Sequence, residues 1–82
     1  MSKIAHMNVR ACVALNLRRL RLEKGWSQTV LSERVGMDRT YVSSLERGAN
    51  GATIDMLAKL GQALGVEPAA FLQRTKPLRR RR

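Results

Sequence analysis

Residues 38–48 read DRTYVSSLERG, one short helix with Asp38 as its cap and Gly48 as its left-handed stop. Val42 and Leu45 lie three apart on one face. The other face carries Arg39, Thr40, Ser43 and Ser44, which are small or hydrogen-bonding groups. A surface helix with no task beyond being a helix carries Glu and Lys there, because their propensity is better. Short hydroxyls behind a guanidinium suit another chemistry: hydrogen bonding to polar groups of a molecule that comes close enough for serine to touch.

The charge balance says what kind of molecule. The chain of 82 residues has 16 Lys or Arg against six acids, a net charge of +10. Six of those positives fall in RTKPLRRRR, residues 74–82, which holds no acid; without them the body is still at +4. A basic domain of this kind points to a polyanion, with nucleic acid the commonest and an anionic membrane the other candidate. The arginine run lacks the interleaved apolar residues of an amphipathic anchor, so the membrane is disfavoured. Apolar runs of about five residues fall far short of the ~20 that span a bilayer, and no signal-peptide core segment is visible. A cytoplasmic protein is expected.

Catalysis has little to build on. There is no nucleophile–base pair, no metal-ligand cluster and no P-loop, so no enzyme, cofactor, metal or small-molecule ligand is expected. Cys12, alone in ACVAL, rules out an internal disulfide and a cysteine-rich zinc site, and is read as a small buried hydrophobe. His6 has no second ligand near it.

The elements that must hold the polar face are helices with glycine punctuation, and no strand pattern appears. Asn8 caps a first helix over Val9 to Lys24, with Val13, Leu17 and Leu20 inward and Gly25 as its stop. Ser27 caps Gln28 to Val35, with Leu31 and Val35 inward, and Gly36 ends it. So short a glycine turn before Arg39 forces the two helices to cross at a large angle, a helix-turn-helix. Thr53 caps Ile54 to Leu64, with Ile54, Leu57, Leu60 and Leu64 inward. Gly61 in that helix costs about 1 kcal/mol against alanine, which reads as a close helix contact or as a tolerated defect. Pro68 opens a fifth helix, PAAFL. Residues 1–7 are read as a flexible N-terminus or a vector remnant, 8–73 as the folded domain and 74–82 as a basic disordered tail. Trp26 is read as core filling.

The stretch LRRLRLEKGWSQTVLSERVGMDRTYVSSLERGANGATIDMLAKLGQALGV resembles the Cro/phage-repressor-type helix-turn-helix family, also called the xenobiotic-response-element family. The resemblance covers Val13 to Leu72. Its specific parts are the glycine-SQ start of the second helix, LERG at the end of the third, and ALGV. DRTYVSSLERGANGAT is closer still to the controller proteins of restriction-modification systems. Ala52 stands where the family often has proline, and Ser32 and Gly61 where alanine is usual, which bears on loop rigidity and packing.

The resemblance implies an all-α, compact five-helix bundle of the lambda-repressor-like DNA-binding type with a central helix-turn-helix. It implies that the third helix enters the DNA major groove. Arg39 then faces base edges with a fork that matches guanine O6 and N7; a phosphate contact or a solvated arginine is the plainer reading. Thr40, Ser43 and Ser44 are the other candidate base readers; for the two serines, merely keeping the helix surface small is an equal reading. Gln28 matches the family glutamine that contacts a phosphate and braces the recognition helix. Tyr41 either donates to a phosphate or packs on the domain edge. Arg47, Asn50 and the N–H groups of Gly48 and Gly51 are further phosphate candidates. Arg21 and Glu46 match positions that form a structural ion pair in the family.

The function implied is a sequence-specific double-stranded DNA-binding transcriptional regulator, a homodimer on a (pseudo)palindromic operator, with a restriction-modification controller as the narrower form. The alternative is an antitoxin that binds a protein toxin and regulates itself. Val66, Phe71, Leu72, Leu15 and Leu22 are candidates for the dimer interface, Phe71 and Leu72 being equally suited to the core.

Overall fold

The structure is a computed structural model that describes residues 8–74. Four α-helices follow one another: α1 (Val9–Glu23), α2 (Gln28–Val35), α3 (Arg39–Glu46) and α4 (Ile54–Leu64). The fifth element, Pro68–Leu72, is a 3-10 helix. The expectation of five helices is thereby corrected: proline fixes its first turn, but PAAFL is a single tight turn too short for an α-helical ladder. Among the described residues there is no strand.

Local chemistry accounts for most of the boundaries. The side chains of Asn8, Ser27 and Thr53 accept from the backbone N–H of Ala11, Val30 and Met56 at 2.7, 3.0 and 3.0 Å. Each satisfies a donor that the first turn leaves without a helical partner. Lys24 is the cap residue of α1 and not its last turn. Gly36 closes α2 at φ 83°, in the left-handed region that only glycine enters without strain. Asp38 departs from expectation: its backbone is extended as a cap should be, but its side chain makes no capping bond.

The core is built from one stripe per helix. Leu17, Leu31, Val42, Leu45, Leu60 and Phe71 are all 0% exposed, and Cys12 is buried as well. Each such side chain contributes roughly 1.5–3 kcal/mol by leaving water. Phe71 is therefore core and not interface. Ile54, expected inward, is 82% exposed. It occupies the first position of α4, where the side chain leans back past the helix start and finds nothing to cover it.

Two contacts close the C-terminal end onto the bundle. Asn16 is 0% exposed, and its Nδ2 donates to the carbonyls of Phe71 and Gln73 at 3.0 and 2.8 Å. The 3-10 helix thus hangs from α1 by a side-chain amide. At Gly61 a Cβ would come within 2.6 Å of the Val66 carbonyl oxygen. Gly61 itself accepts from the N–H of Val66 at 2.9 Å, so the chain folds back across the missing side chain. Of the two readings of Gly61, a close contact holds, but with the backbone of the turn after α4 and not with another α-helix.

Candidate nucleic-acid interface

The third helix is held from beneath. Val42 and Leu45 anchor it in the core, and its last residue, Glu46, is clamped by the two preceding helices. Arg21 of α1 donates from Nε to Glu46 Oε2 at 2.6 Å and from Nη2 to Oε1 at 2.8 Å. Gln28, the first residue of α2, donates from Nε2 to the same Oε1 at 3.1 Å. The remaining Arg21 nitrogen, Nη1, donates to the Trp26 carbonyl at 2.8 Å. One carboxylate thus fixes the mutual placement of α1, α2 and α3 at side chains that are 9% and 3% exposed.

Burial by itself pushes the Glu46 carboxyl up, but the hydrogen bonds from Arg21 and Gln28 and the charges of Arg21 and Arg18 outweigh it, so the group lies below its ordinary value. The hydrogen bond to Glu46 raises Arg21 in turn, against the opposing effect of burial. Both groups are charged at neutral pH, the condition under which a buried pair is tolerable.

The outward face of α3 starts with Arg39 and Thr40, both exposed. Among the described residues no carboxylate pairs with Arg39. Ser43, half-buried, follows one turn later. Its Oγ accepts from Arg47 Nη1 at 2.7 Å. Ser44 does not join this face. It is 6% exposed, donates to the Tyr41 carbonyl at 2.8 Å and accepts from Asn50 Nδ2 at 2.9 Å. The 100° step from Ser43 turns Ser44 onto the buried side of the helix, where both of its hydrogen bonds are made within the protein. Ser44 is corrected from base reader to internal brace.

The remaining candidates gather at the far end of the helix. The Tyr41 ring packs on the core and its hydroxyl donates to the Gly51 carbonyl at 3.3 Å. Asn50 is tied to Ser44, and Gly48 takes the left-handed turn at φ 73°. Arg10, which sequence reasoning passed over, reaches this loop from the start of α1, with Nη1 at 3.5 Å from the Ala49 carbonyl. Its partner lies 39 residues away, beyond any local pattern. Asn16 was also missed, although a polar residue beside the Val13–Leu17–Leu20 stripe is a visible signal. Trp26 is half-buried against the core, with the Arg34 guanidinium 4.5 Å and the Lys24 ammonium 5.9 Å from its ring centre. The tail from residue 75 and the stretch 1–7 lie outside the described residues.

The arrangement is a rigid platform with a short polar face and a fringe of cations. Such a face hydrogen-bonds to a polar surface without having to order itself first. Among the described residues there is no cluster that could hold a metal, and no helix is long and apolar enough to cross a membrane.

Comparison with known proteins places this platform. A helix-turn-helix family model matches residues 17–71. The chain is 44% identical over 59 residues to a hypothetical transcription factor of Neisseria meningitidis, covering 72% of this chain and 56% of that protein. The crystal structure of a hypothetical transcription factor from Neisseria superposes with a TM-score of 0.79 at 40% identity, over 82% of this chain and 77% of that one. Control protein C.BamHI of Bacillus amyloliquefaciens is 36% identical over 69 residues, 83% of this chain and 85% of the relative. The restriction-modification controller C.Esp1396I, crystallised as a tetramer with its natural 35 base-pair operator, matches at a TM-score of 0.70 and 33% identity, over 77% and 83% of the two chains. The chain belongs to the helix-turn-helix family, among relatives that are transcriptional regulators and restriction-modification controllers.

Proposed function

We propose that this chain is a sequence-specific double-stranded DNA-binding transcriptional regulator, that it is not an enzyme, and that it works in the cytoplasm as a homodimer on a (pseudo)palindromic operator. The observation that carries the reading is the exposed start of α3. Arg39 and Thr40 stand clear of the protein, with Ser43 behind them, on a helix whose other side is locked by Val42, Leu45 and the Glu46 clamp. Arg39 reads a guanine, and Thr40 and Ser43 contact neighbouring base edges.

Gln28, Tyr41, Arg47, Gly48, Asn50 and Arg10 surround that helix and set its register on phosphates. For Gln28 and Tyr41 this is a shared duty, because each already holds part of the fold. Residues 8–73 are the DNA-binding unit, with the basic tail an additional electrostatic contact. A single eight-residue helix spans about 12 Å, one groove width, and reads few bases. Two copies related by two-fold symmetry, with half-sites about one turn apart at ~34 Å, supply the missing specificity. The operator complex of the C.Esp1396I controller supports this reading, and the names of the relatives favour a controller over an antitoxin.

The test is selection of duplexes from a random-sequence pool by the full chain, with the stoichiometry of the bound complex read by analytical ultracentrifugation. A two-fold consensus bound by an even number of chains is expected. Failure to enrich any sequence above random DNA would overturn the reading.

A further inference from the structure

Three serines lie within the helical turns of this fold, and two of them spend their protons at home. Ser32 Oγ donates to the Thr29 carbonyl at 2.7 Å and Ser44 Oγ to the Tyr41 carbonyl at 2.8 Å. Both are the bond to a carbonyl three residues back that serine makes in a helix when nothing else claims it. Ser43 is different. Its Oγ is an acceptor from Arg47 Nη1 at 2.7 Å, and none of the hydrogen bonds among the described residues uses its proton.

A hydroxyl has one proton to give and two lone pairs to receive. The bond from Arg47 is charge-assisted, and such bonds are short and strong. It draws electron density from the oxygen and so polarises the O–H toward donation. The outcome is a hydroxyl on the open side of α3, one turn beyond Arg39, whose proton is available and whose acceptor character is weakened.

We propose that Arg47 is a positioning residue for Ser43, and that the pair reads one base per half-site by donating from Ser43 Oγ to a purine N7. This rests on the DNA-binding reading above and deepens it. Both purines present N7 in the major groove, whereas cytosine presents a donor amine there, which a donating hydroxyl cannot satisfy. Arg47 thereby adds a positioning duty to the ordinary role of a cation near phosphate, which by itself carries no sequence information.

The probe is a duplex enriched from a random pool by the wild-type full chain, with each purine in turn replaced by its 7-deaza analogue. Wild type is expected to lose about fivefold in affinity, the worth of one hydrogen bond, at one purine per half-site. Ser43→Ala is expected to be indifferent to that replacement, and so is Arg47→Ala. Arg47→Gln keeps a donor within reach of Ser43 but no charge. It is expected to retain part of the fivefold loss, more than Arg47→Ala does, while its salt dependence becomes shallower by about 0.9 per half-site. If Arg47→Ala keeps the wild-type dependence on N7, Arg47 is a phosphate cation only and the proposal is wrong. If wild type selects a sequence but no 7-deaza position depends on Ser43, the pair does not read DNA although the protein does. If wild type selects nothing, the DNA-binding reading itself fails and this proposal with it.

Discussion

Arg39 is the residue whose removal separates reading from folding most cleanly. It is exposed and lies outside the core. Arg39→Ala is expected to flatten the preference at one base position per half-site by ~1–3 kcal/mol, with no change in melting temperature. Competition among single-base operator variants measures it, and an unchanged preference at every position would remove Arg39 from the reading set. Glu46 and Arg21 behave in the opposite way. Arg21→Ala leaves a buried carboxylate with only Gln28, and a loss of ~3–5 kcal/mol is expected, seen as a lower melting temperature before any effect on specificity. The pH dependence follows from the same pair. The folded Glu46 carboxyl lies below its ordinary value of 4.5, so its contribution is fully present above that value and is lost as pH falls through the lower folded one. Glu46→Gln is therefore expected to be less stable than wild type at neutral pH and to lose part of wild type's further decline in strong acid. Parallel acid limbs in thermal melts of the two proteins would count against the clamp.

At the scale of elements, the sequence carried what is local. The Asn8, Ser27 and Thr53 caps and the left-handed Gly36 need only neighbours within a turn or two, and all four were readable. Asp38 is the local exception, a cap by its backbone but not by its side chain; the other failures depended on things distant in the chain or on helix geometry taken too loosely. Ile54 fitted the apolar spacing of α4, but spacing does not say where the core ends. Ser44 fitted the polar composition of α3, but the 100° step from Ser43 turns it onto the buried side. Asn16 and Arg10 act through carbonyls more than 30 residues away, which no periodicity encodes. Gly61 shows how a structure decides between two readings that composition leaves level. Alanine there would gain about 1 kcal/mol of helix propensity. The added Cβ would meet the Val66 oxygen at 2.6 Å, and the obstacle is backbone rather than a yielding side chain. Overpacking of this kind costs roughly 1–3 kcal/mol. Gly61→Ala is expected to be destabilising on balance, as a lower midpoint in urea with an unchanged slope. A higher midpoint would mean that the turn at Val66 is loose and the glycine a tolerated defect.

For the molecule as a whole, the charge separates two tasks that the fold keeps apart. Specificity is assigned to a few side chains of α3, whereas affinity for a polyanion draws on a net charge of +10. Half of that net charge belongs to five residues outside the described structure, Lys76 and Arg79 to Arg82. The core residues run from Cys12 to Phe71. Deleting 76–82 is therefore expected to leave the melting temperature where it is. Its effect should fall on binding. Each phosphate neutralised contributes about 0.9 to the slope of log affinity against log salt, so contact by two of the five cations would reduce that slope by roughly 1.8 per chain. The loss should be the same for a selected operator and for random DNA, because phosphate contacts carry no sequence information. Titrations of both duplexes at several salt concentrations, with the full and the shortened chain, measure these quantities together. Superimposable slopes would make the arginine run a solubilising charge and no more. A shortened chain that binds but no longer prefers its operator would do greater damage, because it would move the reading of bases away from Arg39, Thr40 and Ser43 and into the tail.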